Sequence, residues 1–344
     1  MKLKTIVFSL ILALVSYSAY WYYIADKAEE YVENIVSNLE GEGAFISYDG
    51  FKVEGFPYRL IISLNNPIIS KTNGDVITAW QSDQLKIYAQ PWNFTHLIFT
   101  ANTSRLTVEN RNDFNPDNRS ALVVDSASTR LSYNVPRDDT VHISWELNGV
   151  NSSEQIDNSP IFAAENIALH IRSAHPDQLS SDNEILAPKL ADIALGAIGL
   201  SIGEHSSNKI IDELTLVSSL RGDMVPAITK TGLKTWSNSG GTLEVSQLKL
   251  SIGTFDVLAN GSLTLDENLT PLGALSTRLK ALQSVGQIIG RFADLNEEDK
   301  ATLLSSFTLL ELFSGDDGIP LSLTAQGGDL WLGPLRITAL SPIL

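Results

Sequence analysis

The sequence predicts an α+β chain dominated by β structure. An N-terminal transmembrane helix leads into a large, mainly antiparallel β domain with several packing helices in its second half. Three observations predict this. A run of twenty residues without charge, Thr5 to Ile24, stands at the N-terminus. From residue 44 onward, apolar and polar residues alternate with period two, the signature of half-buried strands. Three later apolar stretches have helical character, at 182–200, at 278–292 and from Asn296 onward.

The apolar run spans about 30 Å as a helix, the thickness of a bilayer's hydrocarbon core. Lys2 and Lys4 precede it, and Asp26, Glu29 and Glu30 follow. The positive-inside rule therefore places the N-terminus in the cytoplasm and the rest of the chain across the membrane. Tyr17, Tyr20, Trp21, Tyr22 and Tyr23 read as an interfacial belt holding a retained signal-anchor. That reading is preferred to a signal peptide cut after Ser18. Residues 25–42 follow as a connecting amphipathic helix, with Ala28, Tyr31, Val32, Ile35, Val36 and Leu39 at helical spacing and Gly41 and Gly43 to stop it.

The expected β domain covers residues 43–344, with the polar stretch 149–160 as the place where it would divide into halves. Val141, Ile143, Trp145 and Leu147 alternate with polar residues, as do Phe255 to Leu265. Between Val245 and Leu248 the parity slips by one, which predicts a bulge near Ser246 and Gln247. Short strands are expected at 44–53, 57–64, 75–80, 84–90, 95–101, 104–109, 120–125, 129–135, 165–172, 212–220, 319–326 and 329–338. Turn signals such as Asn73-Gly74 and Gly327-Gly328 separate several of them. One-sided alternation with short connections favours antiparallel pairing over βαβ units.

Composition removes whole classes of function. The 344 residues include no cysteine, 24 basic and 40 acidic side chains, for a net charge of −16. Without cysteine there is no disulfide framework, thiolate zinc site or iron–sulfur cluster. The acidity argues against nucleic acid as a partner. Beyond residue 24 the balance is 22 basic against 40 acidic, or −18. So acidic a domain is expected to stand off anionic headgroups.

No catalytic set assembles from the motifs. Gly199-Leu-Ser201-Ile-Gly203 matches the nucleophile-elbow string. Its downstream histidine, His205, is only four residues away, too close for a triad base. Asp113-Phe-Asn115-Pro-Asp117 resembles half a calcium loop, but it lacks the sixth-position glycine and twelfth-position glutamate. The five histidines show no metal-ligand spacing. The expectation is a protein that is not an enzyme, with no cofactor and no metal.

Two strings are more distinctive: Gly55-Phe56-Pro57-Tyr58-Arg59 and Gln90-Pro91-Trp92-Asn93. Each reads as a structural strand-to-strand corner, with proline fixing the backbone and an aromatic ring as apolar anchor. With the N-terminal anchor, Gly261-Ser-Leu-Thr-Leu265, Pro271-Leu-Gly273 and Gly328-Asp-Leu-Trp-Leu-Gly333-Pro334, these strings run from end to end. In that order they resemble the bacterial envelope family known as domain of unknown function 2125. The resemblance implies a single-pass inner-membrane protein with a periplasmic domain, and no activity or catalytic residues. The layout is also similar to AsmA-like envelope proteins, by fold-level analogy only. The function expected is handling of a hydrophobic ligand such as a lipid, or support of the envelope. The alternative is a scaffold within an inner-membrane protein complex. The partners expected are accordingly the inner membrane, through the helix, and a lipid or an envelope protein.

Overall fold

The computed structural model describes residues 2–110, 121–175, 187–203, 211–227, 229–280 and 318–343, with Ala301, Ser305 and Thr308 between the last two. Among the described residues a long apolar helix is followed by a large antiparallel β-sheet of seventeen strands. The helix α1 runs unbroken over Lys2–Gly41. The strands are β1 Ala44–Ser47, β2 Gly50–Glu54, β3 Leu60–Asn65, β4 Ile68–Asn73, β5 Val76–Gln90, β6 Asn93–Asn110, β7 Ala121–Asn134, β8 His142–Glu154 and β9 Pro160–Ser173. They continue as β10 Lys189–Ile202 and β11 Ile211–Arg221. After the short helix α2, Lys230–Asn238, come β12 Thr242–Ile252, β13 Phe255–Leu265, β14 Pro271–Lys280, β15 Ile319–Gln326, β16 Asp329–Leu332 and β17 Leu335–Ala339. The chain forms two compact units. The first is built mainly from Met1–Pro136 with Ile143–Glu165, the second mainly from Asn166–Ser201 with Asn208–Leu344.

In the first unit, β3 and β4 both pair with the long β5, β5 pairs with β6, and β6 with β7. The strand pairs expected at 75–80 and 84–90, 95–101 and 104–109, and 120–125 and 129–135 are three single strands, each bent where the sequence breaks. Ser82, Ser104 and Ser126 stand in register across them, while Asp83, Thr103 and Ala127 drop out of the pairing. Thr103 takes a positive φ of 50°. The three serines are buried. Ser82 Oγ donates to the Asn102 carbonyl at 3.0 Å, and the Ser104 and Ser126 hydroxyls meet at 2.7 Å. Small hydroxylated side chains let the strands bend there without leaving a buried polar group unpaired. Trp145, placed by alternation on the inner face of its strand, is exposed, and the buried positions of β8 are Val150 and Ser152.

The second unit is a meander from β10 to β17, each strand antiparallel to the next. The bulge expected near Ser246 is present. Register shifts between Val245 and Leu248, and Ser246 Oγ donates to the Val217 carbonyl at 3.0 Å. Phe255, Leu279, Ile319 and Leu332 form one buried cluster, and Val245, Ala259 and Leu275 another. Helix α2, which the alternation did not reveal, starts from Thr229, whose hydroxyl accepts from the Gly232 N–H at 3.1 Å. It buries Trp236, whose indole donates to the Arg221 carbonyl at 2.8 Å.

The several packing helices expected in the second half are corrected. Among the described residues two helices are complete, α1 and α2. The stretch 182–200 is strand from Lys189, in register with β11 from Arg221 down to Ile211. Its alanines and leucines favour helix in isolation. Gly196 and Gly199 weaken that preference by about 1 kcal/mol each, and ladder pairing prevails. Of the helix expected at 278–292, residues 278–280 close β14, with Leu279 buried against Phe255 and Ile319; residues 281–292 lie outside the described residues. The helix expected from Asn296 also lies largely outside them, although Ala301, Ser305 and Thr308 are helical.

Candidate functional site

The distinctive features of the sequence meet at the base of the first unit. Gly55–Arg59 joins β2 to β3, and Pro91-Trp92 joins β5 to β6, where Gln90 and Asn93 face each other. The Phe56–Pro57 peptide is cis. The Arg59 N–H donates to the Gly55 carbonyl at 2.9 Å and closes the first corner. A Cβ on Gly55, whose φ is +108°, would lie 2.7 Å from the Arg59 carbonyl oxygen, so the corner demands glycine. Asn93 serves its own strand: its Oδ1 accepts from the backbone N–H of Thr95 at 3.1 Å and its hydroxyl at 2.7 Å.

Helix α1 is docked onto both corners by its aromatic residues. The Tyr17 hydroxyl donates to the Pro57 carbonyl, and the Tyr20 hydroxyl to the Pro91 carbonyl at 2.7 Å. The Trp21 indole donates to the Arg59 carbonyl at 3.0 Å. Phe56 sits edge-on to Trp21, with ring centroids 5.5 Å apart, and stacks on Tyr22 at 5.8 Å. Trp21 is 4% exposed and shares a buried cluster with Ala28, Leu60 and Ala89, flanked by Ile24, Val53, Ile62 and Leu97. Further along α1, Val32 is buried, whereas Tyr31 and Ile35 are exposed.

Tyr17, Tyr20, Trp21, Ile24 and Ala28 recur at three- and four-residue spacing, one stripe of a helix. That stripe is the signal for docking which a reading of the aromatic residues as a belt passes over. Tyr23 stays exposed, as do Tyr58, Trp92 and Phe94 around the corners. Thr5, in the N-terminal part of α1, has its carbonyl bonded by Ser9 Oγ at 2.9 Å.

On the face of β5, β6 and β7 opposite the helix lies an open cavity of about 820 Å³. It is lined by Tyr58, Arg59, Tyr88, Ala89, Gln90, Trp92, His96, Ile98, Thr100 and Arg130. Alternation along the strands separates the two faces: Leu60, Ile62, Ala89 and Leu97 turn to α1, and Tyr88, His96, Ile98 and Thr100 to the cavity. His96 Nε2 lies 3.2 Å from Ser132 Oγ. A second cavity, of about 600 Å³, follows the serine bend and is lined by polar residues including Asp83, Thr103, Arg105 and Asp125. There Asp125 pairs with Arg105 at 2.7 Å and raises the guanidinium pKa above its ordinary value, chiefly through their hydrogen bond.

Of the remaining motifs, part lies among the described residues. Ser201 lies on β10 and is only 3% exposed, out of reach of a substrate in solution. His205 and the Asp113–Asp117 string lie outside the described residues. Among the described residues no three histidine or acidic side chains are grouped as a metal site.

The fold and its corners define a class: an antiparallel β protein onto which its own N-terminal apolar helix is fastened by aromatic hydrogen bonds. The helix has the length and composition to cross a membrane, as an anchor or a signal sequence. The chain belongs to the family DUF2125, described as an uncharacterized protein conserved in bacteria, which matches residues 21–341. No curated protein and no solved structure is significantly similar to it.

Proposed function

We propose that this chain is a non-enzymatic envelope protein, anchored in the inner membrane by α1, whose periplasmic β structure handles a hydrophobic ligand of lipid type. The observation that carries the reading is the position of the aromatic cavity beside the corners to which the apolar helix is fastened. Its volume falls within the range of about 300–1,000 Å³ usual for ligand sites. The docking residues Tyr17 to Ile24 are the last two turns of the apolar run, about 10 Å of helix. Phe56, Tyr58, Trp92 and Phe94 then join Tyr22 and Tyr23 in an interfacial belt. The base of the first unit enters that layer, in place of the stand-off expected from net charge. Burial of Trp21 beside Leu60 and Ala89 supports retention of the helix in the mature chain.

The test is lipid content. The full chain, extracted in mild detergent and purified, should carry phospholipid in stoichiometric amount by mass spectrometry. After delipidation it should take up a fluorescent acyl probe. A chain that carries no lipid and takes up no probe ends this reading.

The exposed Tyr31 and Ile35, on α1 beyond the apolar run, favour a second reading as a scaffold that presents this helix to another envelope protein. Photo-crosslinking from position 31 in native membranes distinguishes it. One dominant protein adduct in place of lipid supports the scaffold.

A further inference from the structure

The aromatic cavity has a cation at each end. Arg59 stands at the corner, beside Tyr58 and Trp92. Arg130 stands at the other end, facing Thr100 across the β6–β7 ladder. Lys86 faces the same Thr100 across the β5–β6 ladder. Lys86, Thr100 and Arg130 therefore occupy one row on one face of three adjacent strands. One row nearer the corner, Tyr88 pairs with Ile98 and separates the two cationic ends with an apolar surface. Lys86 lies on the same face of β5, one row beyond the lining residue Tyr88 and about 13 Å along the strand from Gln90.

Several other strand cations in this acidic chain are paired, Arg105 with Asp125, Lys249 with Glu213, Arg221 with Glu244 and Arg336 with Asp329, whereas Arg172 on β9 and Arg278 and Lys280 on β14 stand singly on their strands among the described residues. Arg59, Lys86 and Arg130 have no acidic partner among the described residues. Screening over about 8 Å at physiological ionic strength makes these local charges, not the net charge of −18, decide what enters the cavity.

We propose that this cavity binds an anionic phospholipid head-first. The phosphate group is taken by Arg130 and Lys86, and the glycerol and upper acyl chains lie along Tyr88 and Ile98. The chains leave at the Tyr58–Trp92 corner, where Arg59 faces the headgroup layer. A guanidinium and an ammonium on one row are suited to a phosphate anion by charge-assisted hydrogen bonds. The inference deepens the lipid-handling reading and rests on it. It adds which class of lipid is taken and which end goes in.

The test uses the full chain in mild detergent and two probes with the same fluorescent acyl chain, a phosphatidylglycerol and a diacylglycerol. The wild-type chain should bind the phosphatidylglycerol more tightly. The double substitution Lys86→Gln with Arg130→Gln should weaken that binding about tenfold or more while leaving diacylglycerol binding unchanged. Ile98→Glu should weaken both, because it places a carboxylate in the apolar stretch; unchanged binding of either probe by this variant overturns the placement of the chains. Circular dichroism melting that matches the wild type shows that each variant folds; should the double variant not fold, Arg130→Gln alone, at an exposed position, is read in its place. Equal phosphatidylglycerol binding by the wild type and the charge variant overturns the proposal, as does equal affinity of the wild type for the two lipids. In that last case the lipid-handling reading survives without headgroup recognition. Glycerol 3-phosphate competing as well as phosphatidylglycerol makes the ligand a soluble phosphate ester and overturns the lipid assignment. Binding of neither lipid overturns both readings together.

Discussion

The indole nitrogen of Trp21 donates to the carbonyl oxygen of Arg59 across 3.0 Å, joining the apolar helix to the first corner of the sheet. The side chain is almost wholly buried, so its contribution combines packing with one hydrogen bond. Trp21→Ala should destabilise the first unit by about 3 kcal/mol. Trp21→Phe, which keeps most of the ring but leaves the carbonyl unpaired, should cost about 1–2 kcal/mol. Thermal unfolding of the full chain in detergent measures both. A loss near zero for the alanine variant would mean that the helix is not seated there.

Tyr20→Phe removes the hydrogen bond to the Pro91 carbonyl and should cost about 1 kcal/mol. Combined with Tyr17→Phe, it releases both corners from the same helix turn. The double variant should then be cut by limited proteolysis near residues 41–43 faster than the wild-type chain. Equal digestion of the two would refute this seating.

Gly55→Ala puts a methyl group against the carbonyl that Trp21 uses, and at a positive φ. About 2 kcal/mol of destabilisation is expected from overpacking and strain together. Native tryptophan fluorescence should shift to the red as Trp21 loses its pocket.

Gly261 and Gly273 lie on neighbouring strands of the second unit. A Cβ on Gly261 would come 2.2 Å from the Ala274 carbonyl oxygen, and one on Gly273 2.3 Å from that of Ser262. Either alanine substitution should destabilise the second unit by about 2–3 kcal/mol, read as a lower denaturant midpoint. An unchanged midpoint would show that the strands can separate without cost.

Glu213 accepts from Lys249 across 2.6 Å, a hydrogen bond that holds the carboxyl below the usual range and raises the lysine above its own. The depressed carboxyl stabilises the fold above its unfolded-state value, and that contribution disappears as pH falls through the folded-state value. The raised amine contributes below its ordinary value and ceases to do so as pH rises past the raised one. In Lys249→Met, a carbon-13 titration of the Glu213 carboxyl should move upward toward the usual range. No movement would mean that the pair is not formed. Both side chains are substantially exposed, so the change in overall stability should be small.

Much of the fold was legible because it rests on local patterns. The charge-free run announced α1, alternation announced most strands, and the parity slip at Ser246 announced the bulge that the Val217 carbonyl now holds. The short segments read on either side of 81–83, 102–103 and 126–128 were correct in place but not in number. Local composition marks a bend and cannot say whether pairing continues through it. The stretch 189–202 misled for the converse reason. Its Ala and Leu content favours helix, and only the neighbouring β11 makes it a strand.

The sequence by itself determined that the chain begins with an apolar helix, continues as antiparallel β structure and belongs with the family its corner strings resemble. Tertiary structure alone decided that those corners are the docking site of that helix. Tyr17, Tyr20 and Trp21 reach carbonyls 40, 71 and 38 residues away. Tertiary structure also decided that Arg59, Lys86 and Arg130 share one face. Strand parity fixes which way each side chain points, but register between strands distant in sequence is set only when the sheet assembles.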